Sequence, residues 1–221
     1  MKILSILQGR TVWIFNMSHV AKGRSLLDTL KALGERYRFG KFPQGLLDVN
    51  KDNALEFNSG TFIHNGTDYR VGLTVYSNGF SGDSFADTSI STAFLEDVAL
   101  WLASEHNVDV KPHITRIGYL SQLEVQARGA LRLWNPLLEF VPFAVSSLAG
   151  TMDGKPRNYN MSGIVVHPED AGRDFAPSPF QIDKKWGTDP SDNIYYSQAP
   201  MSTKDHLDLL NKIEDTLLLA S

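Results

Sequence analysis

Two Asn-Gly dipeptides, Asn65-Gly66 and Asn78-Gly79, each flanked by alternating apolar residues, constrain this chain more than any other feature. Asn-Gly is favoured in a type I′ turn, because both central residues there need positive φ, and such turns join antiparallel strands. The pair predicts a three-stranded meander over residues 55–64, 67–77 and 80–86. It leads into a run with Phe94, Leu95, Val98 and Leu102 at helical spacing and Trp101 widening the apolar face, which reads as a helix over 92–105 with the pair Ser91-Thr92 at its N-cap.

The end of the chain replays this passage. From Ser197 to Leu219 a Ser-Thr pair (Ser202-Thr203) again precedes acids in the first turns and apolar residues at helical spacing. Ser59-Gly60 followed by His64 is matched by Ser162-Gly163 followed by His167. Residues 2–16 alternate as one long strand or a hairpin turning at Gly9. A helix opening at Ser25 places Leu26, Leu30, Leu33 and Tyr37 on one face, and the Gly, Pro, Asn and Asp of residues 39–53 make a loop. The second half offers a strand over 113–127 and a helix opened by Asn135-Pro136, which Pro142 is expected to break or kink within two turns. Strands over 159–167 and 179–186 and a short one at Ile194-Tyr195-Tyr196 come before the closing helix.

The fold class that follows is α+β, a tandem pseudo-twofold duplication of a strand-helix-three-stranded meander-helix unit. Residues 1–110 form the first repeat and 111–221 the second, packed together as one globular domain, with an antiparallel sheet covered by helices on one face. This element order resembles the repeat of the TATA-binding-protein-like fold, and the resemblance is one of order, with no DNA-contacting motif to carry over. The general texture is similar to that of uncharacterised bacterial proteins, which implies a bacterial or phage source.

Composition narrows the function classes. With 21 basic and 25 acidic residues the net charge is -4, so no dominant phosphate-neutralising surface is present and a nucleic-acid partner is disfavoured. The absence of cysteine removes disulfides, thiolate catalysis and Cys-based metal sites. The apolar start Ile3 to Leu7 ends at Gln8-Gly9-Arg10, too early for a signal sequence, and Trp134 to Ala149 is interrupted by Pro136, Glu139 and Pro142. A cytoplasmic protein without membrane contact is expected.

Chemistry-bearing residues are sparse. His64 and His167 are equivalent under the duplication and could form an acid-base or metal pair, although each lies at a strand end where histidine is commonly a surface residue. Asp83, Asp87, Glu96 and Asp97 could gather around a cation, but helix N-termini favour acids anyway and the spacing is not that of a calcium loop. No metal and no cofactor is therefore assigned. Ser202, Asp205 and His206 have the residue types of a hydrolytic triad, yet neighbouring helix positions point in different directions.

Aromatic residues in irregular segments point instead to contact: Trp134, Phe140 and Phe143 around the two prolines, and Phe175, Phe180, Trp186, Tyr195 and Tyr196 further on. The plainer reading of any one of these rings is that it caps the core of a sheet. Together they favour a non-catalytic protein-interaction or assembly subunit, binding a protein partner or itself as a homodimer. The alternative is a small-molecule-binding or hydrolytic enzyme with its site in the groove between the halves, using His167, Asp205 and His206.

Overall fold

The computed structural model describes residues 1–16, 26–45, 48, 54–131, 140–153, 159, 161–169 and 177–219. It is an α+β structure whose elements run β1 (Lys2–Ile14), α1 (Leu26–Arg36), β2 (Leu55–His64), β3 (Thr67–Tyr76), β4 (Gly79–Ser84), α2 (Thr88–His106), β5 (Arg116–Gln126), α3 (Phe140–Asp153), β6 (Gly163–Val166), β7 (Phe180–Lys184), β8 (Ile194–Ala199) and α4 (Thr203–Leu219). The eight strands form one antiparallel sheet in the order β2-β3-β4-β1-β5-β8-β7-β6. Among the described residues no helix is long and apolar enough to cross a membrane. The chain divides into two compact units: a larger one of Ile6–Leu123 and Ala199–His206, and a smaller one of Met1–Ser5, Glu124–Gln198 and Leu207–Ser221.

The larger unit contains the meander, and its two turns behave differently. Asn65 and Gly66 both take positive φ, 49° and 76°, as a type I′ turn requires. At the second dipeptide that expectation fails. Tyr76 pairs directly with Gly79, so the loop residues are Ser77 and Asn78, and Gly79 is already a ladder residue, opposite Ile14 on β1. Glycine is required there by proximity, since a Cβ would sit 2.1 Å from the Trp13 carbonyl oxygen. β1 runs unbroken through Gly9, which removes the hairpin alternative.

The helix after the meander begins one turn before the Ser-Thr pair. Asp87, in extended conformation, is its N-cap and accepts from the Ser89 N–H at 2.8 Å. Ser91 and Thr92 lie inside the helix and share hydrogen bonds with the Thr11 hydroxyl at 2.8 and 2.9 Å, tying α2 to β1. At the other end Asn107 takes the left-handed conformation (φ 54°), and the Val108 N–H reaches back to Leu102 O. The buried face of α2 is Ile90, Phe94, Leu95, Val98, Ala99 and Leu102. Leu30, Leu33 and Tyr37, from α1 and the residue following it, complete the core with Phe57, Phe62, Leu73 and Phe80. Edge-on rings reinforce it, with Phe15 4.9 Å from Phe80 and Tyr37 5.1 Å from Phe94.

The start of α4 belongs to this unit as well. Ser202 is its cap: the Oγ accepts from the Asp205 N–H at 3.1 Å, and its hydroxyl donates to Asp205 Oδ2 at 2.6 Å, which holds the cap in place. The two helix starts also cap each other. Thr88 N–H donates to Thr203 Oγ1 at 3.0 Å, and Thr203 N–H donates to Thr88 Oγ1 at 2.9 Å. These N–H groups have no intrahelical acceptor, and both threonines are buried.

In the smaller unit Ile182, Tyr195, Val125, Ala127, Leu131 and Leu210 are buried, and the Tyr195 hydroxyl accepts from the Leu131 N–H at 2.9 Å. Glu214 is buried with them and takes the Met1 ammonium at 2.6 Å and Arg128 Nε at 3.0 Å. Burial works to raise the pKa of this carboxyl, but the ammonium and the Arg128 bonds outweigh it and hold the group below its ordinary value. Pro142 does not break α3. Among the described residues the helix runs from Phe140 through Pro142 to Asp153. Asn135-Pro136, the expected opening, lies outside the described residues.

Candidate interaction surface

Of the eight aromatic residues singled out from sequence, Trp134 and Phe175 lie outside the described residues. Phe140 and Phe143 project from α3 with 65% and 76% of their surface exposed, and Trp186, just past β7, is 97% exposed. Phe180 is half-buried in β7. Tyr195 is a core residue. Tyr196 is half-buried and donates from its hydroxyl to Gln198 Oε1 at 3.2 Å, with its pKa raised by burial and then by the nearby Asp183 carboxylate.

The structure adds residues that sequence reading passed over. In α3, Val141 and Val145 are exposed beside the two phenylalanines. In β6, Ile164, Val165 and Val166 are all exposed. Register fixes how these relate to the core. Ile164 pairs with buried Ile182 and Val166 with Phe180, so Ile164 and Val166 carry the core face of β7 outward to the sheet edge. Among the described residues, β6 pairs with β7 alone. No charge interrupts β6, so among the described residues its edge lacks the charged guard that discourages strand pairing.

The opposite edge is built otherwise. β2 carries an irregularity between Phe57 and Gly60, Ser59 there takes φ 62°, and Lys41 bridges to Asn58 outside the ladder. Its inward residues Leu55, Phe57 and Phe62 are buried. A bulged, bridged edge resists adding a strand.

The hydrolytic candidates are dispersed by their surroundings. His167 is exposed just beyond β6, and Asp205 is exposed at the start of α4, engaged with Ser202. His206, next to it, points inward, is fully buried, and shares a hydrogen bond of 3.0 Å between Nδ1 and Ser121 Oγ on β5. Burial depresses its pKa to about 4, so the ring is neutral. His64 stacks on Phe62 at the end of β2. Asp83 is held by Arg10 and Gln8, and Asp97 by Tyr37 and Arg36. Among the described residues, no group of three or more His, Asp or Glu is placed to hold a metal ion.

Compared with known proteins, the chain matches no family model and no curated sequence.

Proposed function

We propose that this chain is a non-catalytic assembly subunit that binds protein, in the simplest case a second copy of itself, through the bare side of its smaller unit. The observation that carries this reading is the uncovered core face at β6. Burying Ile164 and Val166 against another chain removes apolar area worth about 25 cal/mol per Å². An added strand would also satisfy the backbone edge. The exposed Phe140, Phe143 and Trp186 supply large, rigid rings of the kind that anchor interfaces.

The same reading includes a tandem duplication with TATA-binding-protein-like element order. Strand, helix, three strands and helix occur twice, and exchanging β1 with β5, β4 with β8, β3 with β7 and β2 with β6 leaves the strand order unchanged. The reciprocal Thr88 and Thr203 caps support it, because mutual contact of equivalent residues is what a twofold relation produces. On this alignment β6 corresponds to β2 and α3 to α1. The larger unit buries Leu30, Leu33, Tyr37, Phe57 and Phe62 at these places, whereas in the smaller Phe140, Phe143, Ile164, Val165 and Val166 are exposed. The hydrolytic alternative has less support, since Asp205 faces solvent and His206 the interior.

The test is light scattering on size-exclusion fractions across roughly 1 to 200 µM, the range that reveals micromolar association, for the wild type and for Val166→Lys. The expected result is a dimer that the lysine variant dissociates at unchanged melting temperature. A strictly monomeric chain that also draws no protein from an extract of its native host would refute the reading.

A further inference from the structure

The face of the larger unit turned away from α2 holds a cavity of about 540 Å³. One row of cross-strand partners forms its floor, Arg10 on β1, Asp83 on β4 and Gly72 on β3. Arg10 Nε donates to Asp83 Oδ1 at 2.6 Å and its Nη2 to Oδ2 at 3.2 Å, while Gln8 Nε2 donates to Oδ1 at 2.6 Å. These two charges satisfy each other. Beside them Gly72 leaves room, for a Cβ there would have only ordinary contacts, the nearest being Phe57 O at 3.5 Å.

Arg70 is the charge left over. Among the described residues it has no carboxylate partner, and Nη2 donates to Ser59 Oγ at 2.9 Å, which uses one of the five guanidinium donors. Its guanidinium stands 5.8 Å from the ring centroid of Phe85, a phenylalanine 69% exposed at the rim. The charged residues lining the cavity are thus Arg10, Arg70 and Asp83, a surplus of one positive charge beside an exposed aromatic face. The volume lies in the range of small-molecule sites.

We propose that this basin binds a small ligand carrying an oxyanion, carboxylate or phosphate, on a flat ring, with Arg70 taking the oxyanion and Phe85 the ring. The site is separate from the β6 surface and does not depend on it. Arg10 pairs with Asp83 in the floor and offsets its charge, which reduces the acid's repulsion of an oxyanion. The irregularity in β2 that places Ser59 also positions Arg70, which gives the bulge a second use.

Calorimetric titration with benzoate, AMP and inorganic phosphate tests the proposal, using the wild type, Arg70→Gln and Phe85→Ser. Both substituted positions are exposed, and melting curves check that the variants fold. Saturable binding of benzoate or AMP is expected, weakened about tenfold or more by Arg70→Gln, as loss of a charge-assisted bond implies. Phe85→Ser should weaken the ring-bearing probes and leave phosphate unchanged. Preference for benzoate identifies a carboxylate ligand and preference for AMP a phosphate ligand. No saturable binding of any probe by about 10 mM, a free energy too small for a built site, or equal binding by Arg70→Gln, overturns the proposal.

Discussion

His206 makes acid stability the sharpest measurable property of this fold. The imidazole is fully buried against Ser121, and burial brings its pKa from 6.5 to about 4. In the unfolded chain the ring protonates near 6.5, so between these values the unfolded state binds more protons and stability rises with pH. The contribution is fully present above about pH 6.5 and is lost as pH falls, levelling off below about 4. Full loss amounts to roughly 3 kcal/mol, from a shift of about 2.5 units at 1.36 kcal/mol each. Between pH 7 and pH 5 the loss is about 2 kcal/mol. His206→Asn isolates the effect, since an amide atom can occupy the place of Nδ1 beside Ser121 Oγ and does not titrate. The assay is urea unfolding of both proteins at several pH values, reading the difference in their free energies so that other titrating groups cancel. The difference should shift by about 2 kcal/mol toward the variant as pH falls from 7 to 5. A difference flat within about 0.5 kcal/mol would refute the reasoning, showing that the ring accepts a proton in the folded protein as easily as in the unfolded one.

The helix junction and the two turns of the meander give further outcomes. Thr203→Val leaves the buried Thr88 N–H without its acceptor and Thr88→Val does the same to Thr203, so each should cost about 1 to 3 kcal/mol in denaturant unfolding. Gly79→Ala places a Cβ against the Trp13 carbonyl and should cost about 2 to 4 kcal/mol. Gly66→Ala, at a position of positive φ with open space around it, should cost less, about 1 kcal/mol.

The elements of the first half were legible because their signals are local. Asn65-Gly66 and the alternation on either side locate β2 and β3 nearly to the residue, and the 3.6-residue period of Phe94, Leu95, Val98 and Leu102 locates α2. Local signals fail where a distant contact decides. Asn78-Gly79 has the composition of a type I′ turn, but β1 passes so close to Gly79 that glycine is taken for the ladder and the turn moves back one residue. Ser91-Thr92 resembles a cap, but its hydroxyls are used by Thr11, across a separation that no window of sequence contains. His206 illustrates the same limit in the candidate chemistry. Its neighbours Ser202 and Asp205 suggest a triad, whereas its environment is set by Ser121 on another element. Arg70 and Phe85 were invisible for the same reason, since only the sheet register brings β3 alongside the end of β4.

The contrast between β2 and β6 bears on which parts of such a fold are free to vary. The contacts that hold the helix starts, Thr11 with Ser91 and Thr88 with Thr203, bury polar groups that would be costly to leave unpaired. Changing one member therefore strands another, which keeps these positions tied to each other. An outer strand has no such constraint, because its free side can exchange hydrogen bonds with water at little net cost. What an apolar edge does cost is solubility, and β2 avoids that cost with its irregularity and the Lys41 bridge. β6, with Ile164, Val165 and Val166 exposed and uncharged, has none of these among the described residues. An uncharged apolar edge of this kind is a template for pairing with another chain. That is why the assembly reading rests on β6 more than on any single aromatic ring, and why a lone lysine at Val166 is a more discriminating change than removal of Trp186, whose ring stands almost wholly in solvent.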